Sequence, residues 1–271
     1  MPRKYFQIDG MATLSHHRGQ TTLPGRPPDT TQGSTIVCLH DAGGNGNEFS
    51  DLMDALGESH SPMSFDQPGH GRSGGLDSLG TIDAMAEHAE SFVSELGLSS
   101  VVLIGEGMGS AVAIAMAARS KVNVAGIVAV GAVATSYELD EEIEQLAAIT
   151  AGRARRQFDQ TGYGPDTERS VYGTAFQEWV KTDPRATVND RRGQAAWMGE
   201  ERATAVSCRV LVVIGEHQEE PYRVAAEGLV SALPNGSGAD LPGAGRHGVI
   251  EQPVALGSLI GSFCSELGAT R

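Results

Sequence analysis

The apolar positions along this chain fall into short blocks that switch between two periods, and the switching predicts its elements. Residues 35–40, TIVCLH, form a compact apolar run with β-branched members, as expected of a strand buried on both faces. Runs at 62–66 (PMSFD), 101–105 (VVLIG), 124–132 (VAGIVAVGA) and 208–216 (CRVLVVIGE) predict further strands, with a short one near 239–241. Between them, apolar residues recur every three or four positions, which places them on one face of a helix. That spacing covers 48–56, 82–96 (through Met85, Ala89, Phe92, Val93 and Leu96), 108–120, 224–233 and 254–267. Residues 4–18 alternate weakly around Tyr5, Phe6, Ile8 and Met11 and predict an edge hairpin. Residues 19–33, with Pro24, Pro27 and Pro28, predict an exposed loop.

Strands that alternate with helices imply the α/β class, a mostly parallel, doubly wound sheet with helices on both faces. Ligands in such sheets bind at the carboxyl ends of the strands. The alternation breaks over 137–205, which carries no buried-strand signal and opens with an acidic helix at 138–148. This divides the chain into a core, 1–136 and 206–271, and a helical insert, 137–205, expected to fold over the carboxyl end as a cap. The insert holds Tyr163, Tyr172, Phe176, Trp179, Trp197 and Met198. Two readings stand for them, the lining of an apolar ligand pocket or the insert's own small core.

Composition narrows the class. The chain has 271 residues, 40% apolar and 20% charged, enough for one large domain with a substantial core. A net charge of -14 repels phosphate backbones, so no nucleic-acid partner is expected. Cys38, Cys208 and Cys264 are the three cysteines, and none has a partner at metal-ligand spacing. Neither a metal nor another cofactor is expected. Buried reduced thiols and the lack of an apolar leader point to the cytoplasm, with no membrane span and a monomer or homodimer.

Five stretches then carry a resemblance. IVCLHDAGGNG (36–46), FDQPGHGRS (65–73), VVLIGEGMGS (101–110), VLVVIGEH (210–217) and LPGAGRHGVIEQP (241–253) resemble sequential landmarks of the α/β-hydrolase family, in its order and spacing. The resemblance implies a nucleophile elbow, G-x-S-x-G, on a tight strand-to-helix turn. Here the elbow reads Gly105-Glu106-Gly107-Met108-Gly109, so Gly107 stands at the implied nucleophile position. Glycine has no side chain to attack a carbonyl, but it adopts strained turn backbone readily. Ser110 lies three residues on and is expected to point elsewhere.

The other implied positions also depart from the family. Where the family carries the Asp that orients the base, this chain has Gln218, an amide without charge. Glu219 and Glu220 follow, and either an inward reach or plain exposure fits them. The implied base position, five before Glu251, is Arg246, whose guanidinium stays protonated near neutral pH. His247 is next. A one-residue slip of the loop puts it in the site; otherwise it is a loop residue. The resemblance places the oxyanion-hole N–H donors at Ala42 and Met108. Asp41 replaces the usual Gly beside them, and a carboxylate there repels an oxyanion unless a cation neutralises it. The gain of Asp41, Glu106 and Arg246 predicts that Arg246 pairs with Asp41 or Glu106 in a charged pocket; the alternative is that Glu106 packs harmlessly. His40 and His70 are expected to be framework residues.

Three functional readings remain. In the first, the chain binds a small apolar or carbonyl-bearing molecule without hydrolysing it. In the second, it is a lyase or an ester/lactone hydrolase in which Asp41, Glu106 or His247 moves protons beside the retained N–H donors. The third, an ordinary serine hydrolase with an altered Gly107, requires three departures to be incidental. The sequence favours the first.

Overall fold

The structure, a computed structural model, describes residues 2–19, 27–132 and 139–269. β1 (Arg3–Ile8) and β2 (Met11–His17) turn back on each other through Asp9 and Gly10, both at positive φ. With β3 (Thr35–Leu39), β4 (Ser61–Phe65), β5 (Val101–Glu106), β6 (Val124–Val130), β7 (Arg209–Gly215) and β8 (Gly236–Leu241), they form one sheet ordered β1-β2-β4-β3-β5-β6-β7-β8. The β1–β2 and β2–β4 pairs are antiparallel, and the others are parallel. The α/β class expected from the pattern holds. One detail differs: only β1 is an edge strand of the first hairpin, because β2 pairs with β4 through His16↔Ser64. Three expected features lie outside the described residues: the stretch 20–26 of the first loop, the core–insert boundary at 136/137, and Glu138.

Alternation along the central strands sorts their side chains to opposite faces. In β5, Val101 and Leu103 join one buried cluster with Val37, Leu39, Ile127 and Ala129, while Val102 and Ile104 join a second with Ile36, Cys38 and Val128. α1 (Ser50–Leu56) covers the second face together with α10 (Pro253–Ala269). α2 (Ile82–Glu95), α3 (Met108–Arg119) and α8 (Glu220–Ala232) cover the first. Thr81 caps α2 by accepting from Ala84 N, and the helix turns Ile82, Met85, Ala89, Phe92 and Val93 inward.

Between β6 and β7 the described residues 139–205 form α4 (Asp140–Thr150), α5 (Arg169–Trp179), α6 (Pro184–Ala195) and α7 (Gly199–Ala203), without a strand. Asp183 caps α6 by accepting from Arg185 N, and Pro184 sits in the first turn, where its missing N–H is harmless. α6 packs on α4 and touches α2 and α3, and its buried face carries Asp190 and Gln194. Trp197 and Ala203 enter the first core cluster and so tie the insert's end to the sheet layer. α9 (Gly248–Glu251) precedes α10. Among the described residues no helix is long and apolar enough to cross a membrane.

Candidate functional site

Sheet register brings Asp41 to Gly107. β3 and β5 are neighbours with Leu39 opposite Gly105, so the residues two beyond each, Asp41 and Gly107, emerge side by side. Gly107 makes the turn into α3 at φ 51°, ψ -115°, a conformation that favours glycine. A Cβ at Gly107 would lie 2.2 Å from Asp41 Oδ1 and 2.4 Å from its Cγ. The Asp41 carboxylate therefore fills the space into which a side chain at 107 would project. It also takes one of the backbone donors that the resemblance marks: Met108 N donates to Asp41 Oδ1 at 2.7 Å. Ser110 is buried in α3 with its hydroxyl on Gly105 O at 2.7 Å, turned from this space as expected.

The cation beside Asp41 is not the expected one. Arg191 of α6 sets its two terminal nitrogens 3.3 Å from Asp41 Oδ1 and 3.5 Å from Oδ2. It also donates to Glu142 Oε1 at 2.9 Å and to Gln194 Oε1 at 2.8 Å. Arg246 instead stacks its guanidinium 4.1 Å above the Tyr222 ring centroid and packs against Gly162. Among the described residues no carboxylate lies within ion-pair distance of it. The pairing expected of Arg246 with Asp41 or Glu106 is thus corrected. The reason is topological: Arg191 descends from the insert beside the elbow, while Arg246 N donates to Gly162 O at 2.5 Å and holds its loop against another part of the insert.

The neighbouring residues have clear partners. The His247 ring lies against Tyr163, centroids 4.5 Å apart, and burial followed by the charge of Arg246 pushes its pKa down to about 4. Glu251 fixes this loop by accepting from the N–H groups of Gly164 (2.6 Å), Gly245 (3.0 Å) and His247 (3.0 Å). Gln218 is buried; its Oε1 accepts a long bond from Gly215 N at 3.4 Å, and its Nε2 has no partner among the described residues. Glu220 is exposed and Glu219 half-buried at the start of α8. His40 is a framework residue, accepting from Gln67 N at 3.1 Å. His70 does more: it bonds Asp190 of α6 at 2.7 Å, with both side chains fully buried.

Three carboxyls share this region, and their environments separate them. Burial raises the Asp41 pKa, but Arg191 and the backbone N–H groups of Met108 and Ala42 outweigh it and hold the group below the usual range. Glu106 accepts from Val249 N at 3.1 Å, yet burial and then the charge of Asp41 push it up to about 8. Glu48 is pushed well up by burial, Glu106 and Asp41. Of the three, Asp41 is thus the one whose charged form is favoured. The space left is a cavity of about 20 Å³ lined by Asp41, Gly107, Leu139, Arg191, Tyr222 and Arg246, among others. That is room for little more than one water molecule.

A family model described as the alpha/beta hydrolase fold matches residues 34–192, and the sheet order and elbow geometry agree with it. The chain belongs to the alpha/beta hydrolase fold family. Among solved structures it is similar to a thermophilic esterase from Thermogutta terrifontis: 19% identity over 98% of this chain and 99% of that one, TM-score 0.81. It is also similar to the enol-lactonase from Burkholderia xenovorans LB400: 16% identity over 97% and 100%, TM-score 0.79. MenH from S. aureus aligns at 14% identity over 94% and 98%, TM-score 0.74. At such identities the likeness shows the fold alone. No curated protein matches the chain.

Within this alpha/beta hydrolase chain the insert's aromatics have separate fates. Phe158, Tyr172 and Phe176 line a groove of about 610 Å³, open to solvent and sharing no lining residue with the elbow cavity. Trp179 contacts Phe158 and Phe176 and carries Arg156 3.9 Å above its ring. Trp197 is buried in the main core, Met198 is exposed, and Tyr163 meets His247. Neither expected reading covers all of them. Asp190 and Arg191 escaped sequence reasoning altogether; the sole signal is the i, i+4 spacing of Ala186, Asp190 and Gln194 on one buried helix face. No group of three His, Cys, Asp or Glu among the described residues has the geometry to hold a metal ion.

Proposed function

We propose that this chain binds a small molecule at the elbow cavity and does not hydrolyse esters through a serine acyl-enzyme. One observation carries the reading: the Asp41 carboxylate stands over Gly107 and takes the Met108 N–H that an acyl oxyanion requires. An incoming oxyanion meets a group that Arg191 holds ionised, and like charges at contact repel. Gln218 and Arg246 supply neither the acid nor the base of a triad. Leu139 and the Tyr222 ring beside two guanidiniums suit a small ligand with an apolar body and one carbonyl-bearing end. The proposal takes 137–205 as the cap of this site. It also takes the protein as a cytoplasmic monomer or homodimer that engages neither nucleic acid nor membrane.

A second reading is proton-transfer chemistry of the lyase or lactonase kind. It is favoured by a neutral base and a neutral acid that both feel the charge of Asp41, His247 pushed down to about 4 and Glu106 pushed up to about 8. The occupied Met108 N–H weighs against it.

The test is turnover of p-nitrophenyl esters by the native protein and by a variant carrying Asp41→Gly, Gly107→Ser, Gln218→Asp and Arg246→His. Asp41 must change as well, because a serine Cβ at 107 meets its carboxylate. The native protein is expected to stay within the roughly 10³–10⁴-fold over water that binding alone leaves when triad members are removed. Native turnover far above that overturns the proposal. If His247→Ala then abolishes it, the second reading takes its place.

A further inference from the structure

The two guanidiniums that line the elbow cavity are not equivalent. Arg191 is matched, with Asp41 at 3.3 Å and Glu142 at 2.9 Å. Arg246, half-buried on the same cavity, meets the Tyr222 ring and Gly162 but makes no side-chain hydrogen bond or ion pair among the described residues. The two carboxyls that feel its charge at longer range are engaged elsewhere: Glu106 with Val249 N at 3.1 Å, and Asp159 with the Thr161 hydroxyl at 2.7 Å. Arg246 is thus a cavity-lining cation whose five donors meet no side-chain acceptor among the described residues and are not sealed from solvent.

The geometry points to a carboxylate-binding site, in which the Arg246 fork takes the carboxylate of a small organic acid at the elbow cavity. This rests on the non-hydrolytic reading and names its ligand class. Neither the Tyr222 ring nor Gly162 takes a hydrogen bond from the Arg246 side chain, and a guanidinium fork suits a planar two-oxygen acceptor. Charge favours a monoanion over a dianion. Asp41 and Glu142 already answer Arg191, which leaves Arg246 as the cavity guanidinium without a paired carboxylate among the described residues, and a dianion brings excess charge beside Asp41. Size selects a small acid. The cavity holds about 20 Å³, so the acid enters only as insert residues at its wall, such as Leu139 and Gln194, give way.

Isothermal titration calorimetry near pH 7 with formate, acetate and butyrate tests this, with acetamide and butyramide as neutral shape analogues and inorganic phosphate as the competing anion. The native protein is expected to bind at least one carboxylate saturably and neither amide. Arg246→Gln is expected to weaken that binding about tenfold or more, with Arg246→Lys in between, because a charged two-bond contact is lost. Circular dichroism checks that each variant is folded. Should Arg246→Gln unfold, Arg246→Lys and the carboxylate–amide contrast on the native protein decide. No carboxylate binding at millimolar concentration, equal binding of the amides, undiminished binding by folded Arg246→Gln, or tighter binding of phosphate each overturns the inference. The ester assay is separate: ester turnover sinks the non-hydrolytic reading, whereas absent turnover with absent carboxylate binding sinks this inference alone.

Discussion

Asp41 and Gly107 act as one unit. The glycine leaves the room that the carboxylate occupies, and the carboxylate consumes the Met108 N–H that a glycine elbow exposes. This coupling is measurable. Gly107→Ala adds a Cβ both to a φ of 51° and to the Asp41 carboxylate, whereas in an Asp41→Gly background it meets the backbone strain alone. The penalty measured by urea denaturation is expected to be larger in the native background, with a coupling of roughly 0.5–3 kcal/mol. Equal penalties in the two backgrounds would show that residue 107 and Asp41 do not share space.

At the scale of elements, α6 is the piece that closes the site. Asp190 accepts from Gly43 N at 2.9 Å and bonds His70 at 2.7 Å, and the next residue, Arg191, meets Asp41. One helix turn thus ties the insert to the loops after β3 and β4. Burial lowers the His70 pKa, but the charge and hydrogen bond of Asp190 outweigh it and raise the group above its ordinary value. A raised histidine stabilises the fold fully below its unfolded pKa, about 6.5, and that contribution fades as pH rises through the folded value. Asp190→Asn removes the partner of a buried pair, a loss on the order of 3–5 kcal/mol when the histidine is charged. The gap in Tm between native and variant is therefore expected to be wider near pH 5.5 than near pH 8.5. A gap independent of pH would mean that His70 stays neutral in the fold.

Across the whole molecule, helices on both faces seal the sheet, and the thiols report on that seal. Cys38 and Cys264 are buried and Cys208 is half-buried. Burial raises all three thiols above their ordinary pKa, and at Cys208 to about 11. Thiolates, not thiols, attack disulfide reagents. A chromogenic disulfide at pH 8 is expected to leave the native protein unlabelled for minutes and to titrate three thiols after unfolding in guanidinium. Rapid labelling of Cys38 in native buffer would contradict a closed sheet.

The sequence by itself determined the class, the order of the elements and the tight elbow, because those rest on local chemistry. Period-two runs such as VVLIG bury both faces, period-3.6 runs such as 82–96 bury one, and Gly107 stands at the turn. Its motifs put Gly107, Asp41, Glu106, Gln218, Arg246 and His247 at one end of the sheet, and of these Asp41, Gly107 and Arg246 line one cavity. Which charges pair was decided by tertiary structure alone. Asp41 and Arg191 are 150 residues apart, and their contact depends on how the insert lies across the β3–β5 register. The same holds for His70 and Asp190, 120 residues apart. Arg246, matched to acids by charge alone, turns instead to Tyr222, because its loop's N–H groups donate to the Glu251 carboxylate and to Gly162 O, which sets the direction of the loop. Side-chain periodicity reports which face a residue takes; it carries no information about which distant element covers that face.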